Sequence, residues 1–209
     1  GIGGSVISGE VLVAGGVTGG MNVSRPGGRE GAAGGGVSRV FKGLNRLVER
    51  GKLEEKQVAG MRGRAIAASG LGEFSACHLV IEAVFEDIDL KQRVFGEIEE
   101  AVSDDCVIAT NTSSILISSI ARASRNRGRI AGMHFFNPVP LMRLVEVIRC
   151  PETRDEVVDF LVEVGKRMGR TPVVAKDAPG FIVNFGGRSY TPAAMTLRHE
   201  ALPTPAQIA

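Results

Sequence analysis

From residue 37 onward the chain alternates between two hydrophobic periodicities. Stretches with apolar residues every three to four positions, the helical spacing, are separated by short apolar runs rich in β-branched side chains. In 38–50, Val40, Leu44, Leu47 and Val48 share one helical face, and Gly51 predicts the stop. HLVIEAV (78–84) reads as a strand buried on both faces, and 87–102 as a helix with Leu90, Val94 and Ile98 in line. CVIATN (106–111) is a second buried strand, and 113–123 a short helix that Ser113 or Ser114 would cap. RIAGMHFF (129–136) and LVEVIR (144–149) predict two more strands. Residues 153–169 predict a helix opened by Thr153 and Glu156 at capping-box spacing, with Val157, Leu161, Val164 and Met168 on its apolar face. TPVVAKD (171–177) is the last strand, and Asp177 is placed to cap a helix beginning in APGFIVN. Strands alternating with helices in this way predict an α/β fold with a Rossmann-like, doubly wound, mostly parallel sheet.

The first 36 residues break the pattern. They hold 14 of the chain's 28 glycines. Glu10–Val13 is the candidate first strand, and Ala14, Gly16 and Gly19 keep the 1-3-6 spacing of a glycine-rich nucleotide-binding turn, with alanine in first place. In such a turn glycine lets the backbone approach a pyrophosphate, so Gly16 and Gly19 are the candidate contacts. NVSRPGGREGAAGGG (22–36) has a proline, a single acid (Glu30) and no apolar periodicity. It is expected to be irregular or disordered. A GC-rich gene read out of frame would produce such a stretch; an unusual linker or divergent loop is the alternative. Three regions follow: a glycine-rich segment 1–36, partly disordered; a Rossmann-like domain 37–178, incomplete at its start; and the beginning of a helical domain, 179–209.

Composition narrows the function classes. Forty-four per cent hydrophobic and 23% charged residues are ordinary for a soluble globular chain. A net charge of +2 gives no argument for nucleic acid or an anionic membrane. No apolar run approaches the roughly 18 residues of a membrane span. The start has no signal-peptide pattern. Cys77, Cys106 and Cys150 are isolated, which suits neither a disulfide framework nor a metal site and points to a reducing, cytoplasmic setting. The first residue is not Met, and a fragment is expected.

In doubly wound sheets ligands bind beyond the carboxyl ends of the strands. That rule selects Glu82–Glu86, Asn111–Ser114 and His134–Pro138. An imidazole can accept a proton near neutral pH, and a carboxylate beside it would fix its tautomer. If the chain turns back between Phe135 and Val145, His134 and Glu146 can meet. A hydrogen-bonded core histidine and an unrelated solvent-facing glutamate is the other reading of the same residues. ATNTSS offers hydroxyls and an amide after a strand, or simply a cap and a polar turn. The four arginines of ARASRNRGR (121–129) suit anionic phosphates, although a solvated basic helix end explains them as well.

VIEAVFEDIDLKQRVF, ATNTSS, GMHFFNPVPLMRLVEVI and TPVVAKDAPGFIVN, in this order and spacing, closely resemble the NAD-dependent 3-hydroxyacyl-CoA dehydrogenases, including the 3-hydroxybutyryl-CoA type. The resemblance implies that His134 is the catalytic base, that Glu146 orients it, and that Ser113 and Asn184 hydrogen-bond the substrate oxygen. It places Ala83, Glu86, Lys91, Asn111 and Asn137 along the NAD site, and Arg50 and Lys52 near CoA. It further implies NAD as cofactor, an acyl-CoA substrate from fatty-acid β-oxidation or a related pathway, and a homodimer in the intact family member, with no metal, nucleic-acid or membrane partner. Family members continue beyond Asn184 with a helical domain. Here 185–209 supplies the rest of its first helix and the start of a second, with Thr204 as cap and Pro205 in the first turn; many relatives have Arg where Phe185 stands. The competing expectation is a catalytically inactive fragment or remnant that binds no cofactor, and the first 36 residues discriminate the two.

Overall fold

The computed structural model describes residues 23–26, 32–68, 70–137 and 142–186. The expected strand Glu10–Val13, Gly16, Gly19, Pro138, Thr204 and Pro205 lie outside the described residues. Strand β1 (Val23–Pro26) leads into helix α1 (Ala32–Glu49) and then α2 (Glu55–Arg62), and the chain returns as β2 (Ala65–Ala68). β1 and β2 pair in parallel, with Val23 opposite Ala65. The expected irregular stretch 22–36 is therefore regular at both places where it is described, and the expected division at residue 36/37 falls inside α1. The physical reason is cooperativity. The apolar face of α1, Phe41 and Leu44, is buried on Val58 and Met61 of α2. Once that turn is fixed, each residue added upstream gains one hydrogen bond for one residue ordered, which offsets the larger entropy that glycine loses. α1 then ends at Gly51, φ +66°, where the Gly51 amide bonds Val48 O at 2.8 Å and the Lys52 amide bonds Leu47 O at 2.8 Å. Glycine takes this left-handed position without steric cost.

The remaining strands are β3 (Leu79–Glu82), β4 (Val107–Thr110), β5 (Ile130–Phe135), β6 (Leu144–Arg149) and β7 (Thr171–Lys176). They form one sheet in sequential order, parallel except for the antiparallel pair β5–β6. α3 (Ile88–Ala101) connects β3 to β4, the single turn α4 (Ile117–Ile120) precedes β5, and α5 (Asp155–Arg167) connects β6 to β7. Asp87 caps α3 by accepting from the Leu90 amide at 2.8 Å.

Alternation along the strands divides the core between two faces. Ile108, Ile130, Ile148 and Cys150 pack with Phe95, Ile98, Ile117 and Phe181. Ala109, Ala131, Met133, Val145 and Val147 pack with Val157, Leu161 and Val164 of α5. Ala68 of β2 packs in the first group, which joins the two sheets through one core. Gly132 sits on that first face because nothing larger fits: a Cβ there would meet Cβ and Cδ1 of Ile148 at 2.8 Å. His134 and Glu146 share the parity of Ile130 and Ile148, so both project onto the face that Phe181 covers.

Three expected caps are replaced. Ser113 and Ser114 do not cap α4; Asp177, sixty residues further on, accepts from the Ile117 and Ser118 amides at 2.8 Å each. Asp177 is thereby taken from the helix it was expected to open, and helical backbone begins only at 183. Thr153 makes no capping box. Its hydroxyl accepts from the Cys150 amide and donates to Ile130 O at 2.6 Å, pinning β5 to the end of β6. A buried backbone group must find a partner, and a nearby side chain that satisfies one is no longer available for its local role.

Candidate active site

β5 and β6 bring the first pair together. His134 lies directly opposite Glu146 in the antiparallel register. Side chains opposite one another on one face of such a pair are close enough to bond. Nδ1 of His134 is 2.8 Å from Oε2 of Glu146, with the residues 5% and 0% exposed. The other carboxylate oxygen, Oε1, accepts the amides of Ile182 and Val183 at 3.0 Å each. The two amides fix the carboxylate's orientation, so that Oε2 faces Nδ1 of His134 and Nε2 stays outside this contact. Phe136 and Phe181 flank the imidazole, with ring centroids 4.5 and 5.8 Å away.

Asn184 and Ser113 join the pair from the other side of the chain reversal. Asn184 Nδ2 donates to Ser113 O at 2.9 Å, which links the strand end after β4 to the segment that holds Glu146. Asn111 ties the β4 end to β5, its Oδ1 accepting from the Phe135 amide at 2.9 Å.

The carboxyl end of β3 is built on a buried ionic network. Lys91, 1% exposed, donates to both oxygens of Glu82 at 2.8 and 3.1 Å and to Val84 O at 3.2 Å. Glu82 also accepts from Thr110 Oγ1 at 2.7 Å and from the Val84 amide. Glu86 lies 3.6 Å from Lys91 and gathers the next turn: it accepts from the Thr112 hydroxyl, from the Ser113 and Ser114 amides at 3.1 and 3.2 Å, and from Ser114 Oγ. Partial burial raises the Glu86 carboxyl, but the Thr112 hydroxyl, the Lys91 charge, the Ser113 amide and the Ser114 hydroxyl outweigh it and hold it below the usual carboxylate range.

Of the residues singled out in the sequence, His134, Glu146, Ser113, Asn184, Asn111, Glu86 and Lys91 fall into one connected group. Ala83 lies half-buried just after β3, and Asn137 is exposed two residues after β5. Lys91 lies beneath the rim and reaches it through Glu86. Arg50 and Lys52 are exposed in the turn after α1, and no hydrogen bond among the described residues joins them to this group. The arginine-rich stretch 121–129 is not a uniformly solvated helix end. Arg129 is 1% exposed and bonds Glu99 Oε1 at 3.4 Å and Ser103 O, which anchors α3 to the start of β5.

Sequence reasoning missed two kinds of participant. The amides of Ile182 and Val183 carry no side-chain signature. Thr110 and Thr112 are common polar residues whose importance comes only from facing Glu82 and Glu86. Apart from this group, an open groove of about 440 Å³ between α1 and α2 is lined by Ser38, Phe41, Lys42, Asn45, Arg46, Glu49 and Arg62. Arg62 stacks on Phe41 there, 4.5 Å from the ring centroid.

Residues 4–178 match the family described as 3-hydroxyacyl-CoA dehydrogenase, NAD binding domain. The chain belongs to this family. The match begins at residue 4 and so runs through the glycine-rich segment. Fatty acid oxidation complex subunit alpha of Pseudomonas paraeruginosa is 40% identical over 158 residues, 73% of this chain and 22% of that protein. The subunit of the same name from Psychrobacter cryohalolentis is 40% identical over 149 residues, 71% of this chain and 21% of that one. The chain thus spans about a fifth of the length of these curated relatives. Among solved structures, (S)-3-hydroxybutyryl-CoA dehydrogenase from Ralstonia eutropha is similar with a TM-score of 0.92 at 33% identity, covering 98% of this chain and 72% of that one. The 3-hydroxybutyryl-CoA dehydrogenase of Escherichia coli K12 gives 0.88 at 34% identity, covering 94% and 42%.

Proposed function

We propose that this chain oxidises (S)-3-hydroxyacyl-CoA to 3-ketoacyl-CoA with NAD as hydride acceptor, acting as part of a longer protein. The reading rests on the His134–Glu146 pair, buried, 2.8 Å apart and anchored on its far side by two amides. His134 Nε2 takes the proton of the substrate's 3-hydroxyl as the C3 hydride leaves. Glu146 stabilises the imidazolium that results. Asn184 and Ser113 hydrogen-bond the substrate oxygen and hold C3 in place. NAD, when bound, supplies the acceptor for the hydride.

The donor set at the strand ends suits such a cofactor. A carboxylate (Glu86), two amides (Asn111, Asn137) and a small residue (Ala83) follow the carboxyl ends of β3, β4 and β5, the side on which doubly wound sheets bind dinucleotides, and Lys91 lies 3.6 Å from Glu86. Gly16 and Gly19 are assigned to the pyrophosphate. For the substrate, Arg50 and Lys52 are assigned to the phosphates of CoA, and Lys42 and Arg46 of α1 with Arg62 of α2 add favourable charge in the groove between the two helices. The setting is assigned to the cytoplasm; among the described residues no helix is long and apolar enough to cross a membrane.

The test is a titration of the purified chain with NADH, followed by its nicotinamide fluorescence, and then NADH-dependent reduction of acetoacetyl-CoA. The chain contains no Trp, so nicotinamide emission is read without tryptophan interference. Saturable binding and turnover are expected. His134→Gln is expected to lower kcat by roughly 10²–10⁴ while leaving NADH affinity unchanged. A folded chain that shows no saturable NADH binding would sink the proposal and favour the inactive remnant.

A further inference from the structure

Phe181 has φ +52°, and among the described residues it alone departs from negative φ without being glycine. A bulky side chain in the left-handed region is a conformational outlier that the surroundings must hold in place. The preceding Gly180 is also left-handed, φ +79°, and a Cβ there would meet the Phe185 amide nitrogen at 3.0 Å. These two residues reverse the chain sharply. As a direct result, the next two amides, of Ile182 and Val183, converge on one oxygen of Glu146. The following residue, Asn184, reaches Ser113 O. The Phe181 side chain is itself buried, 5% exposed, with its ring 5.8 Å from the imidazole of His134.

We infer that Phe181 is a positioning residue for the His134–Glu146 pair. Its left-handed backbone aims the two amides that fix Glu146 Oε1, and its ring closes over the imidazole. Glu146 can then present only Oε2 to His134, so the imidazole is kept as the Nδ1–H tautomer with Nε2 unprotonated. The inference deepens the proposed function, because the value of that tautomer rests on His134 acting as the base.

The test reads the tautomer without cofactor or turnover. Long-range ¹H–¹⁵N NMR of the full chain reports the protonation of each imidazole nitrogen, and there are only three histidines to assign, His78, His134 and His199. The wild-type chain is expected to show His134 as a single Nδ1–H tautomer. Phe181→Ala removes the ring and leaves a Cβ in the unfavourable region, so His134 is expected to become a mixture of both tautomers. Phe181→Leu retains apolar bulk and is expected to show a smaller admixture. If Phe181→Ala fails to fold by circular dichroism, the leucine variant decides: a mixture supports the inference. A pure Nδ1–H signal in the folded variants overturns it. Where the wild type turns over acetoacetyl-CoA, Phe181→Ala is also expected to lower kcat by roughly 10²-fold with KM for NADH unchanged. A wild-type chain without turnover but with the single tautomer would defeat the proposed function and leave this inference standing.

Discussion

At the scale of single residues, the largest electrostatic commitment is Lys91 and Glu82. Both are almost wholly buried, and their desolvation is offset only because each polar atom has a partner: Glu82 takes Lys91, Thr110 and the Val84 amide. Removing Glu82 leaves the buried Lys91 ammonium with only the Val84 carbonyl at 3.2 Å and the Glu86 carboxylate at 3.6 Å. Glu82→Ala is therefore expected to destabilise the fold by about 3–5 kcal/mol, measured by urea unfolding. A variant within 1 kcal/mol of wild type by that measure would show that Glu86 and Val84 O, not Glu82, carry Lys91. The pair was invisible as a pair in the sequence. Glu82 and Lys91 could be read as a strand-end acid and a helix lysine, and only the packing of α3 on β3 makes them one unit.

At the scale of elements, the ends of helices show how local rules are kept or overridden. Gly51 and Gly169 end α1 and α5 with the same pair of backbone bonds, and at α5 these are Gly169 to Lys166 O and Arg170 to Gly165 O. Gly51 was legible beforehand because a left-handed stop requires glycine wherever the helix packs. Starts were less legible. The α4 turn is capped by Asp177, which arrives from the far end of β7 and lies beside it only in the folded sheet. Asp177→Ala removes both acceptors and is expected to cost about 0.5–2 kcal/mol, with faster hydrogen exchange confined to the Ile117 and Ser118 amides. Exchange that rises equally throughout the chain would argue against a local cap.

For the molecule as a whole, Cys106 and Cys150 lie inside the core and Cys77 is partly buried against it, and burial raises all three thiols. Cys150 is pushed from its ordinary 9.0 to about 12, first by burial and then by the Asp177 carboxylate. Burial, reinforced by Cys77, raises Cys106 to about 11. The unfolded chain releases these protons near pH 9, whereas the folded chain retains them. Their contribution to stability is therefore fully present below pH 9 and is lost as pH rises from 9 toward 12. Urea midpoints are expected to fall over that interval, and Cys150→Ala should fall less steeply than wild type. Parallel curves for the two proteins would exclude the Cys150 thiol as a contributor.

Periodicity determined most of the α/β order from residue 37 on, because a buried strand and an amphipathic helix each impose a pattern that few other arrangements satisfy. The roles of His134, Glu146, Ser113 and Asn184 were implied by the family resemblance and not by periodicity, which left a core histidine and an unrelated glutamate open; the fold brings the four residues together. The glycine-rich start misled because its local composition opposes regular structure. β1 and the first turns of α1 are supported by pairing with β2 and by the packing of α1 on α2, neither of which is a property of that segment alone. Only the tertiary structure decided who caps α4, who neutralises Lys91, and which groups grip Glu146. Those partners are backbone amides or residues tens of positions away, and hydrogen bonds form between groups close in space, whatever their separation along the chain.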